Sequence, residues 1–217
     1  MGKNIQDLVK EWPKCFIQKS DLAMFLKDKT ENARHSLVKR ALKNKVLIRL
    51  RRGLYLIADK MKPVVDEFEL SMLIYGPSFV SLESALSYYG WIPEAVYATA
   101  CVTIKRAKKF KTSIGIFSYE HVPSRDFYVG VDRIETAQSV FFIATPWRAL
   151  ADFMYVTRRS WKTLLDLEQD LRIDIEDVMN SDKKVLKLLV EKYPSRRVRD
   201  NLKKFLKEIT KTLKVNV

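Results

Sequence analysis

The stretch TENARHSLVKRALKNKVLIRLRRGLYLI, residues 30–57, decides the reading of this chain. Thr30 is a good helix N-cap and Asn44 tolerates the left-handed backbone found after helix ends, so the spacing predicts a helix between them. At about 100° per residue, Ala33, Leu37, Val38, Ala41 and Leu42 fall on one side. Asn32, His35, Ser36, Lys39, Arg40 and Lys43 fall on the other. Arg34 lies inside the apolar arc and is expected to snorkel to its edge. The β-rich runs 46–50 and 54–57 follow, joined through Arg51-Arg52-Gly53, which predicts a hairpin with glycine at the tight position.

Upstream, residues 5–12 read as a short amphipathic helix with Ile5, Leu8, Val9 and Trp12 on one face, ended by Pro13. A second helix is expected to open at Ser20 as N-cap. Helix, helix, basic helix and then an arginine-tipped hairpin is the order of a winged helix-turn-helix, and each residue type has a physical reason there. A helix about 10–12 Å across fits the major groove. Asn32, His35 and Ser36 stand early in the helix, where base edges are read, while Lys39, Arg40 and Lys43 suit phosphates. Arg49, Arg51 and Arg52 on the hairpin suit phosphates or a minor groove.

The chain's charge agrees with this division. Its 217 residues hold 40 Lys+Arg against 26 Asp+Glu, a net +14, with 47% hydrophobic residues, which excludes a disordered or fibrous chain and predicts an acidic partner. Residues 1–60 carry 15 basic and 6 acidic side chains, 61–180 carry 13 and 16, and 181–217 carry 12 and 4. An even solubility surplus would not concentrate at the two ends. The seam at residues 58–63 predicts a first domain over 1–60 and a second over 61–217.

The second domain reads as helix-rich around a small, mostly antiparallel sheet, making the whole chain α+β. A helix is expected over 63–75, another capped near Ser81, strands at 98–104, 116–119 and 140–143, and a helix opened by Thr145-Pro146. Between the first two strands, Lys105, Arg106, Lys108, Lys109 and Lys111 surround Phe110. Three readings stay open for this run: a solvated loop, a phosphate contact, or a patch facing a protein partner. Residues 161–179 read as one helix with an acidic side, and 183–192 as another. A terminal basic helix over 195–213 sets Val198, Leu202, Phe205, Leu206, Ile209 and Leu213 beneath Arg196, Arg197, Arg199, Lys203, Lys204, Lys207 and Lys211. That face is solvated, or a second basic surface for phosphate, or one that serves a protein partner.

Cys15 and Cys101 have no partner at metal-ligand spacing, so no disulfide framework, metal or cofactor is expected. No apolar run reaches membrane-spanning length and residues 1–9 lack a secretory core, which predicts a cytoplasmic protein with no membrane partner. No nucleophile–base–orienter set is present. The enzyme alternative is a metal-dependent nuclease built on Glu83, Glu120 and Asp152 with Lys105, since phosphodiester cleavage needs carboxylates and a cation around metal. Glu83 is equally explained as a carboxylate in the first turn of a helix.

Several motifs carry a family resemblance: Arg51-Arg52-Gly53-Leu54-Tyr55, the run from Val80 through Ser81-Leu82-Glu83-Ser84-Ala85-Leu86 to Gly90, Thr103-Ile104-Lys105-Arg106, and Ile143-Ala144-Thr145-Pro146 with Ala149, Leu150 and Asp152. Over about residues 1–160 the chain resembles the AbiEi antitoxins of type IV toxin–antitoxin systems. The resemblance implies an amino-terminal winged helix that represses its own promoter by binding inverted repeats in double-stranded DNA. It also implies a carboxy-terminal domain that counteracts a nucleotidyltransferase-like toxin without stable binding, in phage defence. Relatives usually carry Glu-Lys after the Thr-Pro, where this chain has Trp147-Arg148, so no role is carried over to that pair. A winged-helix regulator with no toxin partner is the alternative of a different class.

Overall fold

The computed structural model describes residues 4–60, 65–93, 96–137 and 139–215, with side chains through 212. Pro63, expected to open a helix, and the side chain of Leu213 in the terminal stripe lie outside the described residues. Two compact units emerge, Met1–Glu67 with Thr112–Ile114, and Phe68–Lys111 with Gly115–Val217.

In the first unit α1 (Ile5–Glu11) starts on Asn4, whose side chain accepts the Gln6 and Asp7 backbone N–H groups at 2.7 and 3.0 Å. β1 (Phe16–Gln18) runs into α2 (Lys19–Phe25), which is capped at Gln18 rather than at the expected Ser20. There the Asp21 carboxylate accepts the Gln18 N–H at 2.9 Å, so the cap moves two residues upstream to where that carboxylate can reach back. α3 (Glu31–Lys43) starts on Thr30, whose hydroxyl accepts the Ala33 N–H at 3.3 Å. The left-handed residue after it is Lys45, at φ 55°, not Asn44. β2 (Leu47–Arg51) and β3 (Leu54–Ile57) form the hairpin, followed by a 3₁₀ turn at Ala58–Lys60.

Sequence periodicity missed β1 because three residues are too few to alternate visibly. It pairs antiparallel with β3, Ile17 opposite Tyr55, and turns the hairpin into a three-stranded sheet of order β1-β3-β2. Ile5, Leu8, Ile17, Leu22, Leu26, Ala41, Leu47, Tyr55 and Ile57 form the core beneath it.

All but the first residue of α4 (Glu67–Ile74) belongs to the second unit, followed by β4 (Ser78–Val80) and α5 (Leu82–Tyr88). β5 (Ala98–Thr103), β6 (Lys108–Lys111), β7 (Ile116–His121), β8 (Val131–Glu135) and β9 (Val140–Ala144) follow. The chain ends in α6 (Pro146–Thr157), α7 (Leu164–Leu171), α8 (Ile175–Asn180), α9 (Lys183–Lys192) and α10 (Arg196–Val215).

The chain is thus a mixed α+β protein, but its larger sheet is not small. It has six strands in the order β6-β7-β5-β4-β9-β8, with β5–β7 and β4–β9 parallel and the other pairs antiparallel. The expected single helix over 161–179 is two, because Arg172 takes a left-handed conformation at φ 54° and Asp174 caps α8 by accepting the Glu176 N–H at 2.8 Å. No helix among the described residues is long and apolar enough to cross a membrane.

Candidate nucleic-acid interface

α3 divides as its periodicity requires. Ala41 is buried, with Leu37, Val38 and Leu42 partly buried against the core. Asn32, His35, Ser36, Lys39, Arg40 and Lys43 are all exposed. Each has another member three or four residues away, as in Asn32, His35, Lys39 and Lys43 or Asn32, Ser36, Arg40 and Lys43, so they form one continuous row. Arg34 stands apart from that row, its Nη1 donating to the carbonyl of Ala23 at 3.0 Å and tying α3 to the end of α2.

The hairpin adds Arg49 and Arg52, both exposed. Its tip is fixed by Gly53, which sits at φ 82° and whose carbonyl accepts the Lys19 N–H at 2.8 Å, joining the turn to the start of α2. A side chain at this φ would be strained, which is the reason for glycine. Arg51 is the exception among the three arginines: it is half-buried, and its Nη1 donates to the Arg52 carbonyl at 3.4 Å.

Between α2, α3 and the hairpin lies a cavity of about 710 Å³ lined by Lys19, Arg34, His35, Lys39, Arg49 and Arg52, with Leu22, Val38, Leu42 and Tyr55 at its apolar side. Its acid is Glu31. Lys19 sits 3.2 Å from the Glu31 carboxylate, and this hydrogen bond, helped by the charges of Lys19 and His35, holds the carboxyl below its ordinary range. The groove therefore presents a surplus of donors and positive charge, the chemistry that accepts phosphate oxygens.

The other basic segments resolve differently. Lys105, Arg106, Lys108 and Lys109 are exposed, but the run is not simply a loop: Lys108–Lys111 is the edge strand β6, paired with β7. The Lys105 Nζ donates to the Gly76 carbonyl, and the Lys108 Nζ lies 4.9 Å above the Phe110 ring. On α10, Val198, Leu202, Phe205 and Ile209 are buried as a stripe. Arg197, though exposed, donates to the carbonyls of Met154 and Arg159 at 2.7 and 3.0 Å, and Arg199 to those of Tyr193 and Pro194 at 2.6 and 3.2 Å. Arg196 stands 3.8 Å from Asp200. Lys203, Lys204 and Lys207 remain exposed.

The carboxylates of the nuclease alternative are not brought together. Asp152 is wholly buried, while Glu83 and Glu120 line separate cavities. Among the described residues no group of three or more His, Cys, Asp or Glu side chains is placed to hold a metal ion.

What the sequence left without a role, Trp147-Arg148, is core. Trp147 packs edge-on against Trp91 at 5.2 Å between centroids and donates from Nε1 to Ser181 at 2.8 Å. Arg148 is 2% exposed, and its Nε donates to both Asp152 oxygens at 2.9 and 3.0 Å. Ser81 and Tyr193 hydroxyls also donate to Asp152, at 2.8 and 2.9 Å. Burial pushes the Asp152 carboxyl above its ordinary range, against the pull of Arg148, Ser81 and Tyr193. The i,i+4 spacing of Arg148 and Asp152 on one helix was the signal in the sequence that could have found this pair.

No protein-family model matches the chain, and no curated protein sequence matches it. The functional reading rests on this geometry and on the motifs quoted from the sequence.

Proposed function

We propose that the first unit is a winged helix-turn-helix and that the protein is a DNA-binding autorepressor of its own operon. The observation that carries the reading is the uninterrupted exposed row on α3, from Asn32 to Lys43, beside a hairpin whose exposed Arg49 and Arg52 line the same groove. In this reading α3 enters the major groove, with Asn32, His35 and Ser36 on base edges and Lys39, Arg40 and Lys43 on phosphates. Arg49 and Arg52 contact the flanking backbone, with Arg51 serving the hairpin itself.

The antitoxin half of the proposal comes from the AbiEi resemblance of the motifs in residues 51–152. It assigns the second unit to countering a nucleotidyltransferase-like toxin encoded beside it.

A gel shift of the full chain on its own promoter at moderate salt tests the first half. Retarded migration reversed by added salt is expected, and unchanged binding by Lys39→Ala with Arg40→Ala would refute the assigned face. Co-expression of the full chain with a neighbouring nucleotidyltransferase-like gene tests the second half. Relief of toxicity is expected, and unrelieved toxicity leaves the regulator alone standing.

A further inference from the structure

The motif Ser81-Leu82-Glu83-Ser84 does more than begin a helix. Ser81 donates its N–H to the Ala100 carbonyl at 3.0 Å, and Ser84 bridges the same strand, accepting the Ala100 N–H at 2.8 Å and donating to the Ala98 carbonyl at 3.3 Å. Between these two anchors Leu82 is buried at φ 54°, a conformation unfavourable to a leucine and kept only because both sides are pinned. The turn sets Glu83 on the wall of a cleft of about 530 Å³, within the size range of small-molecule sites.

The floor of that cleft is Ala98, Ala100 and Ser118, three small residues on adjacent strands that leave the space open. Ile92 and Phe153 supply apolar wall. Two further charges line it, Arg159 and Asp170, which pair at 3.2 Å, and Asp170 also accepts the Trp161 indole N–H at 3.0 Å. They neutralise each other. Glu83 is half-buried and has no hydrogen-bond or ion-pair partner among the described residues. The helix dipole favours a carboxylate in the first turn of α5, and the Glu83 oxygens are not buried, so they are available to a cation that enters the cleft. In a chain of net +14 this cleft is locally negative.

We propose that the cleft is a binding site for a small primary amine on a planar apolar body, the ammonium meeting Glu83 and the body lying over the alanine floor beside Phe153. The site is independent of the DNA-binding reading.

Tryptamine is the probe, titrated into the full chain and followed by calorimetry and saturation-transfer NMR. Saturable binding is expected, with indole-3-acetate, the same ring carrying a carboxylate, at least about tenfold weaker. Glu83→Gln is expected to weaken tryptamine about tenfold without weakening indole-3-acetate, the loss that accompanies one charge-assisted hydrogen bond. Ala98→Leu fills the floor and is expected to abolish binding of both. Absence of saturable tryptamine binding to the wild type, equal affinity for the two ligands, or an unaffected Glu83→Gln overturns the proposal. Where Glu83→Gln does not fold, the ligand ratio on the wild type and Ala98→Leu decide it.

Discussion

Three arginines of the first unit and three of the second are put to opposite uses. In the first unit Arg40, Arg49 and Arg52 are exposed, with only Arg34 tied to a backbone carbonyl of a neighbouring helix. In the second, Arg148 lies in the core on Asp152, Arg197 holds the carbonyls of Met154 in the last turn of α6 and of Arg159 just beyond it, and Arg199 holds the turn before α10. A guanidinium with five donors in a fixed fork is as good at capping a carbonyl cluster as at gripping phosphate. The difference teaches that a positive charge becomes a candidate for nucleic acid only once its donors are known to be unspent.

The comparison breaks most visibly at Arg148. Arg148→Met leaves Asp152 buried without its charge partner and is expected to cost about 3–5 kcal/mol of stability in denaturant melts. The folded fraction should still shift promoter DNA normally. On the first unit, Lys39→Ala with Arg40→Ala should do the reverse. We expect promoter affinity to fall about 10- to 100-fold, and the slope of log affinity against log salt to flatten by about 2, with the melting temperature essentially unchanged.

Arg197→Ala sharpens the contrast, because an exposed arginine on the most basic helix should behave structurally. A loss of about 1 kcal/mol in stability and no change in DNA affinity are expected, and weakened DNA binding with unchanged stability would place that helix on DNA instead. Lys203→Ala with Lys204→Ala should change stability by less than about 0.5 kcal/mol.

The smallest effect is a pH slope. The folded-state pKa of Asp152 is raised, so the folded chain holds that proton more tightly than the unfolded chain does. The stability this adds is fully present below the unfolded value and is lost as pH rises through the folded one. Relative to Asp152→Asn, the wild type should therefore lose stability as pH rises from the ordinary value of 3.8 toward neutrality, measured by urea melts across that window. A gap independent of pH would show that Asp152 titrates alike in both states.

Much of the first unit was legible because its signals are local. A helix of 13 residues repeats its apolar arc often enough to be read, and the Arg52-Gly53 turn announces its own geometry. β1 was not legible: its three residues become a strand only when β3 lies alongside. The same holds for β6, where lysines with low strand propensity are carried by pairing with β7, and for β8, whose run of charges hides alternation. The cap of α2 at Gln18 was misplaced because Ser20 is the better cap by type, while Asp21 reaches back to the Gln18 N–H.

The candidate sites follow the same division. Residue type and a period of 3.6 were sufficient to separate the row Asn32, His35, Ser36, Lys39, Arg40 and Lys43 from the side that packs, because helix geometry is set by neighbours in sequence. Apart from near neighbours such as Arg148 with Asp152 and Arg199 with Tyr193, which cations are spent was decided by tertiary structure. The carbonyls of Met154 and Arg159 reach Arg197 across 43 and 38 residues of chain, and Ser81 reaches Asp152 across 71. Hydrogen bonds over such separations depend on where the sheet and helices meet, and no local pattern encodes that meeting.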